Sequence, residues 1–152
     1  MLYILIVLLI LVSYQDIKSM IIHDFYNIAI AILGIIYILQ GENTIHSAIL
    51  ASISGAAPLF IIDKLTIIIA KKEGFGYGDM KLMLALGLFI GWIQAFFTLF
   101  FAIILASFIA GFLIYKRKKS NTPEKYEYMP FGPFLCAGFL LSYFGVYSLI
   151  LY

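Results

Sequence analysis

Residues Ala95 to Tyr115 read AFFTLFFAIILASFIAGFLIY, a run of 21 residues without one Asp, Glu, Lys or Arg. A helix needs about 20 apolar residues to cross the hydrocarbon core of a bilayer, so this stretch has the length and composition of a membrane span. The remainder of the chain agrees with it. Of 152 residues, 64% are hydrophobic and 12% are charged, whereas a soluble domain carries about twice that charged fraction. One small core cannot hide so much apolar surface. Lipid is the solvent that accepts it, and the expected fold is an all-α, polytopic integral membrane protein.

Working outward from Ala95, five further apolar runs emerge: Met1 to about Tyr14, Phe25 to Leu39, Thr44 to Ala70, Asp79 to Gly91, and Pro130 to Tyr152. Polar breaks separate them, among them Gln40-Gly41-Glu42-Asn43 and the glycine-rich Lys71-Lys72-Glu73-Gly74-Phe75-Gly76-Tyr77-Gly78. Met1 to Tyr14 lacks the basic start and small-residue cleavage site of a secretory signal, and reads as a first membrane helix. The third run exceeds what a bilayer needs and is interrupted by Asp63 and Lys64, so its end is expected to project past the lipid. Six helices in one membrane-embedded domain, residues 1–152, is the resulting architecture, with Lys116 to Tyr128 as its soluble segment.

The positive charges sort cleanly. Lys18 lies in the first loop; Lys64, Lys71, Lys72 and Lys81 in or beside the third; Lys116, Arg117, Lys118, Lys119 and Lys125 in the fifth. The second and fourth loops have none. Cytoplasmic loops carry the excess of Lys and Arg, so loops one, three and five are expected at the cytoplasm and both termini outside. A net charge of +2 gives no support to nucleic-acid binding. The single cysteine, Cys136, excludes an internal disulfide and a Cys-based zinc site, and reads as a packing residue.

Ionisable side chains at membrane depth are costly and mark function. Glu42, Glu73, Glu124 and Glu127 fall in loops, which leaves Asp16, Asp24, Asp63 and Asp79. Asp16 ends the first helix and Asp79 starts the fourth, at similar depth on the cytoplasmic side. Two carboxylates that meet share a proton: one takes a proton from water while the other donates to a scissile carbonyl. That chemistry needs neither metal nor cofactor. Gly76 and Gly78 before Asp79 offer positive φ and close backbone approach. On spacing alone a plainer reading stands beside this one, with Asp79 capping the fourth helix and Asp16 pairing with Lys18 or Lys81.

Three motifs read together favour the catalytic reading. Gly76-Tyr77-Gly78-Asp79-Met80-Lys81-Leu82 resembles the Gly-x-Gly-Asp-x-Lys-Leu signature of type IV prepilin peptidases. Asp16 resembles that family's first catalytic aspartate, and Met129-Pro130-Phe131-Gly132-Pro133-Phe134-Leu135 its Pro-Phe-Gly-Pro-Phe segment. The resemblance implies Asp16 and Asp79 as the catalytic pair, and Gly76 and Gly78 as shaping the active-site loop. It implies that Pro130, Gly132 and Pro133 bend the chain near the site, and Lys81 matches the pattern. The implied reaction removes a short basic leader from prepilin-like or archaellin-like substrates at the cytoplasmic face. Two departures stand out. His23 occupies the place of the family's proline after Ile22, and the paired Cys-x-x-Cys segment associated with N-methylation is absent from this sequence, which suggests a protease-only form.

The remaining polar residues have plain readings: His23 as solvated, Asp24 as an N-cap, Asp63 with Lys64 as a local ion pair, Lys81 as a snorkelling lysine. Rival functions are a presenilin-like Gly-x-Gly-Asp protease, a small ion-coupled transporter, and a non-catalytic pilus or secretion assembly protein. The first lacks its Pro-Ala-Leu motif here, and transporters of this size show internal repeats that this chain does not.

Overall fold

The computed structural model describes residues 1–71, 74–120 and 129–150, with side chains except at 70, 117–120 and 146–150. Lys72, Glu73, Glu124, Lys125 and Glu127 therefore lie outside the described residues. Six helices occur in the expected order: α1 Leu2–Ser19, α2 Asp24–Leu39, α3 Ile45–Ala70, α4 Tyr77–Gly87, α5 Trp92–Ser120 and α6 Gly132–Ile150. The all-α membrane architecture read from the sequence is the one found. Several boundaries differ: α1 continues past Tyr14 to Ser19, α4 stops at Gly87 and α5 starts at Trp92, and α5 runs on to Ser120, so the first residues of the expected soluble segment are helical.

The helix ends follow local chemistry. Met20 and Lys71 adopt left-handed φ of 54° and close the last turns of α1 and α3. At the start of α3 the Thr44 hydroxyl accepts the Ser47 N–H at 3.2 Å, the usual N-cap arrangement. Gly41, at φ 81°, makes the reversal after α2, a conformation in which a Cβ would be strained.

Among the described residues three helices are long and apolar enough to cross a membrane, those at Leu2–Ser19, Ile45–Ile69 and Trp92–Lys116. Helix α4 is different. Its 11 residues rise only about 16 Å, against a hydrocarbon core of about 30 Å. A short helix is tolerable at membrane depth where protein rather than lipid surrounds it, and α4 is so placed. Met80, Leu82, Met83, Ala85 and Leu86 are buried, and α2, α3 and α6 pack around it. The turn beyond it has its carbonyls satisfied by side chains. Asn43 Nδ2 donates to the Leu88 carbonyl at 3.1 Å and the Ile90 carbonyl at 3.3 Å, and the Gly91 N–H donates to Gln94 Oε1 at 2.8 Å.

The molecule is sorted for lipid. Leu5, Leu9 and Val12 of α1 face inward, while Ile4, Val7, Ile10 and Leu11 face out. On α5 the outward residues Phe100, Ile104, Phe108 and Phe112 are large. With apolar surface on both sides of each helix, association depends on close packing of small residues. Gly138 of α6 shows this: a Cβ there would collide with the Thr98 carbonyl and crowd the Ala102 amide of α5. The same contact carries a hydrogen bond, from Ser142 Oγ to the Gln94 carbonyl at 2.7 Å.

Gly138→Ala should therefore destabilise the α5–α6 pair by about 1–3 kcal/mol. Gly111→Ala, where the added carbon meets nothing within 4 Å, should stabilise by about 0.5–1 kcal/mol through helix propensity. Reversible unfolding in detergent micelles reads both, and equal signs would contradict the packing described.

Candidate active site

Asp16 lies in the last turn of α1 and is 4% exposed. It is buried because the N-terminus of α6 sits on it. The Gly132 N–H donates to Asp16 Oδ2 at 2.8 Å, joining residues 116 positions apart. This is a free first-turn amide, which a helix cannot satisfy internally. Glycine is required by space, since a Cβ at Gly132 would lie 2.8 Å from Asp16 Oδ2. Pro133 occupies the next position, where its missing N–H costs nothing.

Asp79 is the third residue of α4. The N-cap is Gly76 rather than Asp79, and the Asp79 N–H donates to the Gly76 carbonyl at 3.1 Å. Asp79 Oδ1 is buried and has no hydrogen-bond partner among the described residues. Neither Gly76 nor Gly78 takes a positive φ. What glycine supplies at Gly78 is approach: a Cβ would stand 3.0 Å from Ile22 Cβ. That contact presses the start of α4 against the linker between α1 and α2.

Both aspartates line one cavity of about 760 Å³. Gly76, Pro130 and Phe131 line it too, and α5 forms a wall with Ile103, Ala106, Ser107 and Ala110. The structure thus brings Asp16, Asp79, Gly76 and Pro130 to one space, with Gly132 in contact with Asp16. Lys81 is elsewhere. It is two residues beyond Asp79 on a helix, about 200° round the axis, and binds Asp24 at 2.7 Å. That exposed pair stands at the end of a separate apolar groove of about 520 Å³ between α2, α3 and α4. Asp24 is accordingly a partner of Lys81, and the N-cap of α2 is His23, which is exposed.

The Asp63–Lys64 pair expected from the sequence is not what forms. Adjacent helical residues do not face each other. Asp63 turns inward, 1% exposed, and its Oδ1 accepts the Gly74 N–H at 3.0 Å and the Phe75 N–H at 3.2 Å. Lys64 turns outward, over the Phe60 ring at 5.2 Å and the Tyr77 ring at 5.7 Å. Phe75 packs edge-on against Phe131, with centroids 4.8 Å apart. The sequence offered one signal for Asp63 that the pairing with Lys64 hid: an acid inside an apolar helix needs a buried partner. Among the described residues, no three His, Cys, Asp or Glu side chains converge as metal ligands.

Comparison with known proteins places this geometry in context. The type IV leader peptidase family matches residues 3–111. The chain is 27% identical over 144 residues to a prepilin leader peptidase/N-methyltransferase of Pectobacterium carotovorum subsp. carotovorum, covering 94% of this chain and 48% of the relative. It is 29% identical over 144 residues to the protein of that name in Legionella pneumophila, covering 94% and 49%. With the one of Burkholderia pseudomallei (strain K96243) it shares 34% identity over 95 residues, 62% of this chain and 29% of the relative. It spans about half the length of the first two relatives. No solved structure matches it. The matched stretch runs from α1 into α5 and includes Asp16, Asp63 and Asp79, and the chain belongs to the type IV leader peptidase family.

Proposed function

We propose that this chain is a membrane aspartic endopeptidase that removes the short basic leader of prepilin-like or archaellin-like proteins, with Asp16 and Asp79 as its catalytic pair. The observation that carries the reading is their convergence: two buried carboxylates from different helices open into one cavity. Asp16 is oriented by the Gly132 amide rather than by a counter-ion that would fix its protonation, and Asp79 Oδ1 has no hydrogen-bond partner among the described residues.

In the proposed reaction a water lies between the two side chains. One carboxylate takes its proton as the oxygen attacks the scissile carbonyl, and the other, protonated, donates to the carbonyl oxygen. The tetrahedral intermediate then collapses: the second carboxylate takes back a hydroxyl proton as the carbonyl reforms, the amide C–N bond breaks, and the leaving nitrogen takes up the proton received by the first carboxylate. The pair ends with one proton, as it began. Pairs of titratable groups in unlike surroundings are suited to this division of roles. The activity proposed is the peptidase named in the relatives, not the methyl transfer.

The membrane topology proposed with it is six spans, one domain over residues 1–152, both termini outside, and the cavity at the cytoplasmic face of the cell membrane. The Lys and Arg distribution supports the orientation. Asp16, Lys18, Lys71 and Asp79 belong to the same end of the bundle, where α1 ends and α4 begins.

In membranes containing a prepilin-like substrate, Asp16→Asn and Asp79→Asn should each lower the cleavage rate by about 10²–10⁴-fold at unchanged expression. Lys81→Met should retain cleavage, since Lys81 faces away from the cavity. Full cleavage by either asparagine variant removes that residue from the mechanism. Gly132→Ala should cost about 10²-fold by displacing the Asp16 carboxylate, read in the same assay. Wild-type rates there would mean that the Gly132–Asp16 contact does not position the acid.

A further inference from the structure

The loop that carries Gly76 to the cavity is tethered at one point on α3. Asp63 Oδ1 accepts two consecutive amides, those of Gly74 and Phe75. Successive backbone N–H groups turned to one side form an anion-binding concavity, and here the anion is the chain's own carboxylate. The loop is also pressed onto α3. A Cβ at Gly74 would lie 2.9 Å from Thr66 Oγ1, one turn along from Asp63.

Two routes lead from this tether to the two acids. Along the chain, Phe75 is followed by Gly76, the N-cap of the helix that bears Asp79, whose carbonyl accepts the Asp79 N–H at 3.1 Å. Through space, the Phe75 ring packs at 62° against the Phe131 ring, and Phe131 is followed by Gly132, whose N–H donates to Asp16 Oδ2. Phe75 and Phe131 both line the cavity. The Gly132 amide that orients Asp16 and the Gly76 cap that starts the helix of Asp79 therefore each follow a residue of one aromatic pair, and that pair is fixed by Asp63. Asp63 itself does not line the cavity.

We propose that Asp63 is a positioning residue for the site: by accepting the Gly74 and Phe75 amides it fixes the Phe75–Phe131 pair, and through it the Gly132 amide that aims Asp16 and the Gly76 cap that starts the helix bearing Asp79. This rests on the peptidase reading above. The role requires an acceptor oxygen at the right reach, not a negative charge. Asparagine keeps the oxygen in place, glutamate moves it outward by one carbon, and leucine removes it.

The test uses Asp63→Asn, Asp63→Glu and Asp63→Leu of the full chain in lipid bilayers, with two readouts. Amide hydrogen exchange over residues 74–76 should be slow in wild type and Asp63→Asn, and at least tenfold faster in Asp63→Leu. It needs no cleavage, so it judges the tether even if the chain cleaves no prepilin-like substrate. Cleavage kinetics should show kcat lowered by about 10²-fold in Asp63→Leu and Asp63→Glu, the scale of a displaced catalytic group, with KM little changed and Asp63→Asn near wild type. Should Asp63→Leu fail to fold, the Asn and Glu variants decide the matter. Asp63→Glu cleaving as fast as Asp63→Asn, or Asp63→Asn falling as far as Asp63→Leu, overturns the proposal, as does unchanged exchange in Asp63→Leu.

Discussion

Of the three buried aspartates among the described residues, two are held by backbone amides from glycine-containing segments, Asp16 by Gly132 and Asp63 by Gly74 and Phe75, and the third, Asp79, sits in the first turn of a helix capped by Gly76. The rest of the structure follows from that constraint. A carboxylate removed from water must be hydrogen-bonded or it is strongly unfavourable. Amides satisfy it, orient it and leave its net charge unchanged. To bring amides to carboxylates the chain must offer backbone not already used by a helix, which means helix starts and the loops before them. The site consequently forms where α4 and α6 begin and α1 ends.

Helix α4 is short but buried, with Asn43 of the α2–α3 loop and Gln94 attending to the turn that follows it. Its burial by α2, α3 and α6 holds the first turn, and with it Asp79, at a fixed depth opposite Asp16. Close contacts at Gly78 and Gly132 then narrow the space between the elements that bear the two acids. Packing among small residues, which holds apolar helices together in lipid, thereby also sets the distance across which the chemistry would operate.

Much of this was legible in the sequence because the signals were strong and local. Runs such as Ala95 to Tyr115 have no alternative to a helix in lipid, and the polar breaks between runs fall near the observed helix ends. Gly-Tyr-Gly-Asp and Pro-Phe-Gly-Pro marked the two segments that share the cavity with Asp16. What the sequence concealed depends on rotation and on contacts between distant residues. Lys81 belongs to the signature around Asp79, yet helical geometry turns it to Asp24 and a separate groove. Asp63 stood beside a lysine and read as an ion pair, while the fold turns the two apart. The expected positive φ at Gly76 and Gly78 gave way to a different use of glycine, as space for Ile22. The small wall of α5, Ala106, Ser107 and Ala110, had no signal of its own, because only the cavity gives those positions meaning.

The central claim is that Asp16 and Asp79 act as one unit across a shared cavity. The most direct measurement is binding of a leader peptide whose scissile amide is replaced by a hydroxyethylene group, which places a hydroxyl where the attacking water would sit. Its affinity would be compared among wild type, Asp16→Asn, Asp79→Asn and the double variant in bilayers. If the two carboxylates grip one hydroxyl, each single substitution should remove most of the affinity, and the double variant should lose little more. Losses that simply add, or tight binding that survives both single substitutions, would contradict the account.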